Sequence, residues 1–218
     1  ASGEFALSGN TCTGSIAAAS TCTLGVTFSP TSTGVKSGSI SIPSNAASSP
    51  NSVSLTGTGI SQAQERAKNG GFNTYSGTSK IPVNWVKNTN FAATDGKDTT
   101  VNKEGIASVK IIGEAGKTKT LTQTLTLSGV SGDTFTFTFW AKGASLPTAG
   151  ICRAQVLLYN GSTLMLGKTA ACKTGTYTTF QKKTLTITAT SVYTRVVIKF
   201  TYSKASGTIW FDLISLMK

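Results

Sequence analysis

Eight carboxylates, four cysteines and no histidine set what this 218-residue chain can do chemically. Nucleophile–His–acid catalysis is excluded for want of histidine. The carboxylates are Glu4, Glu65, Asp95, Asp98, Glu104, Glu114, Asp133 and Asp212. A glycosidase needs two of them facing each other across a cleft. Only Asp95 and Asp98 are close in sequence, in a polar glycine-containing loop that reads as a turn. No phosphate-binding glycine loop occurs. The chain is therefore expected not to be an enzyme.

The cysteines form two local pairs, and neither has the C-x-x-C spacing of a zinc or redox site. Four cysteines allow three connectivities. Local pairing, Cys12–Cys22 and Cys152–Cys172, is the expected one, and it implies an oxidising, extracellular compartment. Sugar binding remains as accessible chemistry. It needs exposed aromatic faces with hydrogen-bonding neighbours. The aromatics available are Tyr75, Trp85, Trp140, Tyr159, Tyr177, Tyr193 and Trp210, each of which competes with a plain role as a core or sheet-edge residue. Tyr193 shares its strand parity with Arg195 and Lys199, a combination suited to an acidic sugar. Trp140 lies opposite the Phe135/Phe137/Phe139 face of its strand, which turns it outward or marks a bulge. Tyr75, Trp140, Tyr193, Arg195 and Lys199 are the candidate ligand residues.

The elements that must position these residues are strands. Hydrophobic residues make up 39% of the chain and charged residues 13%, a deficit filled by Gly, Ser and Thr as in extracellular all-β proteins. In Leu121–Gly143, Phe135, Phe137 and Phe139 share one face, and Leu121, Gln123 and Leu125 share another. This period-two alternation marks half-buried strands. With Ser131-Gly132-Asp133 as turn residues, the stretch is expected to be a hairpin at the centre of the larger domain. Further strands are expected at 107–113, 151–159, 163–166, 180–189, 193–202 and 208–216, with Asn160-Gly161 suiting a tight type I′ turn. Ahead of them, short strands are read at 5–7, 22–28, 36–42 and 52–58. No apolar run approaches the ~18 residues that span a bilayer, and no segment reads as a signal peptide, which suits a secreted chain whose leader has been removed.

The net charge of +12 is unevenly placed: up to Gly59 the only charges are Glu4 and Lys36. The basic remainder favours anionic partners such as acidic polysaccharide, teichoic acid or nucleic acid. The competing reading is solubility, because the lysines are dispersed and Lys182-Lys183 is the only doublet. Nucleic acid is disfavoured, since basic clusters interleaved with aromatics are missing.

Two resemblances follow. The order Phe5…Asn10-Thr11-Cys12…Cys22-Thr23-Leu24…Val26-Thr27-Phe28-Ser29-Pro30…Gly34, then Gly38-Ser39-Ile40-Ser41-Ile42 and Val53-Ser54-Leu55-Thr56-Gly57-Thr58-Gly59, resembles ASH-type immunoglobulin-like domains of bacterial surface proteins. It matches only the later part of such a domain. Four short strands cannot enclose a sandwich core. The rest is expected from a neighbouring copy by strand donation, a cleaved upstream segment, or the second domain. From Asn69 the chain resembles CenC-type carbohydrate-binding modules of the galactose-binding-like jelly-roll group. The matching pieces are Asn69-Gly70-Gly71-Phe72, Pro82…Trp85, the Leu121–Lys142 stretch and Ile209–Leu216. In that family an acidic residue after the opening motif joins an aspartate of the last strand around a structural calcium. Here Asn73 stands in the first position and Asp212 matches the second, which leaves a weak calcium site or none. No other cofactor is implied.

The expected architecture is all-β: a partial immunoglobulin-like sandwich at 1–59, a linker at 60–68, and a jelly-roll sandwich at 69–218. The expected function is a secreted, cell-surface module that binds glycan or adheres. The alternative is a structural subunit of an extracellular filament or surface layer, a homo-oligomer joined by strand exchange between copies.

Overall fold

The computed structural model describes residues 1–60 and 63–218, and among these it contains fourteen strands and no helix. The chain divides into two compact units, Ala1–Gln62 and Ala63–Lys218.

The first unit has four strands: β1 (Phe5–Asn10), β2 (Leu24–Phe28), β3 (Gly34–Ile42) and β4 (Asn51–Gly59). They form two antiparallel pairs, β1–β2 and β3–β4, each a sheet of its own. Phe5 stacks on Phe28 with ring centroids 4.7 Å apart. Both rings lie against glycine backbone of the other pair: a Cβ on Gly38 would meet Phe5, and one on Gly57 would meet Phe28. Only Phe5 and Ile40 among the hydrophobic residues here are buried. The Cys12–Cys22 disulfide closes the loop between β1 and β2.

The second unit begins before the expected opening motif. Gln64 and Arg66 donate backbone N–H groups to Lys218 and Leu216, and the Glu65 carboxylate accepts the Leu216 N–H at 2.8 Å. The latter part of the expected 60–68 linker is thus paired into the second unit. Ser61 and Gln62, also in that linker, lie outside the described residues. The strands that follow are β5 (Val86–Lys87), β6 (Gly96–Asp98), β7 (Ser108–Ile112), β8 (Lys119–Leu125), β9 (Thr134–Leu146), β10 (Cys152–Asn160), β11 (Thr163–Ala171), β12 (Gly175–Thr188), β13 (Arg195–Tyr202) and β14 (Thr208–Met217). They build two five-stranded sheets, ordered β11-β10-β13-β8-β5 and β12-β9-β14-β7-β6. From β7 to β10, and again from β11 to β14, successive strands alternate between the sheets. That alternation is the jelly-roll path.

This path corrects the expected hairpin. β8 and β9 pair with different neighbours in opposite sheets, and the chain between them arches from one sheet to the other. Gly129 exchanges two backbone hydrogen bonds with Tyr193 and so pins the arch. Alternation identifies an inward face but not the partner of a strand, and two strands facing each other across a core alternate in the same way as two side by side. The core itself joins the sheets. Phe200 of β13 lies 4.4 Å from Phe211 of β14 and 5.6 Å from Phe139 of β9, centroid to centroid. Trp85 extends the cluster to Phe72.

The opening Asn-Gly-Gly-Phe has a physical reason at each end. Asn69 Oδ1 accepts the N–H groups of Asn73 and Thr74, while its Nδ2 donates to Thr74 and Val83 carbonyls. Gly70 lies so close to β14 that a Cβ would sit 1.8 Å from the Ile214 carbonyl oxygen. Phe72 is buried with φ of 49°, a left-handed conformation held by core packing.

Candidate functional site

The outer face of the β11-β10-β13-β8-β5 sheet gathers the polar groups best suited to a ligand. Register places Arg195 opposite Tyr159, Val197 opposite Leu157, and Lys199 between Thr122 and Gln155. Arg153 lies opposite Thr201 in the next row. These side chains share one face because each is two residues from the next along its strand. The Arg195 guanidinium sits 4.5 Å from the centre of the Tyr159 ring, close enough for cation–π attraction. Leu157 and Val197 form the floor and are only 8% and 9% exposed although they point away from the core. Gly167 stands beside Leu157 on β11 and keeps that end of the floor low.

The face is rich in donors. The Nε atoms of Arg153 and Arg195 are buried and make no hydrogen bond within the described residues. Gln155 Nε2 donates to Thr169 Oγ1 at 3.2 Å. None of these strand positions is a carboxylate. At the β8–β5 edge of the sheet lies a cleft of about 560 Å³, lined by Thr122, Thr124, Val86, Asn84, Lys68 and Trp85 among others. Its indole is fixed by Trp85 Nε1 donating to the Lys68 carbonyl at 3.1 Å.

Arg195 and Lys199 share this face, as their parity requires. Tyr193 does not, and its place in the expected set is corrected. It precedes β13, is fully buried, and packs edge-on against Phe135 with centroids 5.7 Å apart. Its hydroxyl donates to Asp133 Oδ2 at 2.8 Å. The strand parity fails there because Tyr193 pairs with Gly129 on the arch rather than continuing β13. The aromatic that meets Arg195 is Tyr159. The signal for it was present in Arg153-Ala154-Gln155-Val156-Leu157-Leu158-Tyr159, where Arg153, Gln155 and Tyr159 share a parity that only Leu157 interrupts.

Tyr75 is half-buried, with a hydroxyl that has no hydrogen-bond partner among the described residues. Burial, with the nearby Asp212 charge, pushes its phenol well above the ordinary tyrosine range. Lys97 Nζ covers its ring at 4.6 Å. Trp140 does face outward from β9, half-buried, on the outer face of the other sheet.

Asn73 and Asp212 attend one loop. Asp212 Oδ2 accepts the N–H groups of Lys103 and Glu104 at 2.7 and 3.3 Å, and its Oδ1 accepts that of Leu213 at 2.8 Å. Asn73 Oδ1 accepts the Ile106 N–H at 2.9 Å. Burial raises the Asp212 carboxyl despite those donors. A calcium ion needs six to eight oxygens, whereas this carboxylate points at backbone N–H donors. Among the described residues no group of three or more His, Cys, Asp or Glu is placed to hold a metal. The donor set does not fit calcium, and the two residues pin the 102–106 loop instead. The second disulfide, Cys152–Cys172, ties β10 to the segment after β11.

Among solved structures, the chain is similar to the enzymatically active domain of tailspike protein 4 of bacteriophage CBA120. The two share 17% identity and a TM-score of 0.55, over 70% of this chain and 21% of that one. The second unit has a jelly-roll fold. This chain thus spans about a fifth of the tailspike chain, and the likeness is one of fold. Weaker likenesses are to a family 16 carbohydrate-binding module (16% identity, TM-score 0.47, 57% of this chain and 85% of that one). Another is the CBM22-1 xylan-binding domain of Paenibacillus barcinonensis Xyn10C (9% identity, TM-score 0.48, 72% of this chain and 96% of that one). No protein-family profile and no curated protein matches the chain.

Proposed function

We propose that the second unit is a non-catalytic glycan-binding module of a secreted or cell-surface protein. The observation that carries this reading is the outer face of the β11-β10-β13-β8-β5 sheet, where Arg195 over Tyr159, Lys199, Gln155 and Arg153 surround an apolar floor. Sugar rings present apolar CH faces to such a floor and ring, while their hydroxyls and carboxylates need the donors around it. The two disulfides suit an extracellular setting. The immunoglobulin-like reading of the first unit belongs to the same proposal.

The test is calorimetric titration of the 218-residue protein with a panel of neutral and uronate polysaccharides. Binding by at least one member is expected, weakened tenfold or more (about 1.4 kcal/mol per factor of ten) in Tyr159→Ala and in Arg195→Ala. No binding across the panel, or binding indifferent to both substitutions, rejects the reading.

A second reading, a subunit of an extracellular filament or layer, has its own observation. The first unit leaves every one of its four strands with a free edge, and Val35, Val53 and Leu7 are exposed. Unpaired edges are templates for strands of other chains. Electron microscopy and solution mass across a concentration series test it; a monomer at every concentration counts against it.

A further inference from the structure

The opposite sheet carries a second, chemically different face. β9 and β14 pair with Trp210 opposite Lys142 and Asp212 opposite Trp140. The two tryptophans therefore occupy diagonal positions on the outer side, about 7–8 Å apart at that geometry. Trp210 also stands opposite Lys110 of β7, and Trp140 opposite Lys182 of β12. Each ring is half-buried, so its body is held while part of it reaches solvent. Lys103 Nζ lies 4.8 Å from the Trp140 ring and Lys142 Nζ 5.9 Å from that of Trp210.

The Trp210 indole is fixed in orientation, because its Nε1 donates to Asp98 Oδ2 at 2.9 Å. Two carboxylates of this patch could repel an anion: Asp98 is engaged by Trp210, Thr100 and Lys110, and the exposed Glu104 is paired with Lys103 Nζ at 3.7 Å. Asp212, opposite Trp140, is fully buried under the 103–104 backbone. What faces solvent is two indoles among four ammonium groups, one of which, Lys103, is offset by Glu104. Along the strands the face continues as threonine, with Thr136 and Thr138 of β9 beside Thr186 and Thr184 of β12.

The geometry points to a polyanionic polysaccharide, a uronate chain, as the occupant of this Trp140–Trp210 face. The occupant follows from charge complementarity: a neutral chain would stack on the rings and leave the lysines unused. Pyranose CH faces lie on the indoles, carboxylates pair with Lys142, Lys110 and Lys182, and the threonine hydroxyls meet ring hydroxyls. The lysines that now cover the rings, Lys103 and Lys142, are half-buried and swing aside on flexible stems. This site lies on the sheet opposite the arginine–tyrosine face and shares no residue with it.

The chain's three tryptophans make the site visible on its own. Trp140 and Trp210 are half-buried on this face, whereas Trp85 is buried and touches only the cleft at the edge of the other sheet, so the Trp140→Ala and Arg195→Ala variants assign an emission change to one sheet or the other. The whole protein is titrated with polygalacturonate, with dextran as the neutral comparison, and tryptophan emission is followed. A saturable change with polygalacturonate and none with dextran is expected, weakening as salt is raised. Lys142→Gln/Lys182→Gln should raise the apparent dissociation constant tenfold or more, and Trp140→Ala should remove most of the signal. Arg195→Ala should leave the emission titration unchanged, even where it abolishes heat of binding at the other face. The inference is overturned by an absent emission response, by an equal response to dextran, or by a response that survives the lysine substitutions and is lost in Arg195→Ala.

Discussion

The two units use the same kinds of residue to very different effect. In the second, ten strands bring aromatic side chains from two sheets into one cluster around Phe200, Phe139 and Phe211. In the first, four strands bring together little more than Phe5, Phe28 and Ile40. The sequences look alike, short alternating strands rich in Thr, Ser and Gly. The difference lies in strand number per sheet. A two-stranded sheet has only edges, and it is marginal alone; a five-stranded one has three central strands with a neighbour on each side. Stability of the second unit is therefore cooperative, and that of the first rests on few contacts and one disulfide.

Amide hydrogen exchange should show this contrast as the largest effect. Amides of β10 and β13, central and buried, are expected to exchange only through global unfolding of their unit, and those of β1 to β4 far faster through local opening. Comparable protection in both units would break the comparison. The next effect concerns a buried charge pair of the second unit. Lys119 Nζ lies 2.7 Å from Asp95 Oδ2 with both side chains buried, and Asp95 also accepts the N–H groups of Ala92 and Ile112. Lys119→Met leaves that carboxylate buried without its cation, which costs about 3–5 kcal/mol, or roughly 10–15 °C in the melting of this unit. Protection in the first unit should not change. An apolar double variant at both positions should recover much of the loss, since an ion pair in the interior adds little over good packing.

Lys119 also shows what the sequence could and could not disclose. The jelly-roll unit was legible because its strands alternate strictly and because Asn69–Phe72 and Ile209–Leu216 stand at its two ends. Long-range partnership was not, since alternation at Leu121 and Phe135 is the same whether the strands are neighbours or face each other. Burial of charge was equally hidden. Lys119 and Lys204 look like the other dispersed lysines, yet Lys204 Nζ is enclosed by the carbonyls of Ala149 and Gly150 at 3.1 and 3.2 Å. Tyr193 fell on a polar parity by counting, and one cross-strand pairing with Gly129 turned it into the core. Arg195 and Lys199 were placed well because they lie inside a regular strand. Local pattern thus identifies a face of a strand, while topology decides what lies across it.

The disulfides sharpen the comparison at a smaller scale. The loops they close differ by a factor of two, with sequence separations of 10 and 20, and the loop-entropy model gives about 3 kcal/mol for either. The consequence should differ. Cys152→Ser/Cys172→Ser should leave the second unit folded, melting roughly 6–12 °C lower. Cys12→Ser/Cys22→Ser should abolish amide protection in β1 and β2, because the first unit has little else to lose. Retained protection there would show that the Phe5–Phe28 contact carries more than its size suggests.

Acid titration gives the smallest and most specific difference. In the first unit the group that matters is Glu4, held below the ordinary range by hydrogen bonds from the Thr31 hydroxyl and N–H, with Lys36 nearby. In the second, burial would raise Asp98, but donation from Trp210 and Thr100 and the charge of Lys110 outweigh it and hold the carboxyl far below its usual value. A depressed carboxyl stabilises the fold above its unfolded value of ~3.9 and loses that contribution as pH falls toward the folded one. Asp212 acts in the opposite sense: burial raises it, so acidification through its folded value relieves a penalty. The second unit should therefore lose stability below about pH 4 less steeply than Asp98 alone would dictate. Asp98→Asn should lower its melting temperature at neutral pH and flatten the acid limb, and Asp212→Asn should steepen that limb. Melting curves of the three proteins from neutral to acidic pH decide it; parallel limbs would mean that neither carboxyl governs the acid response.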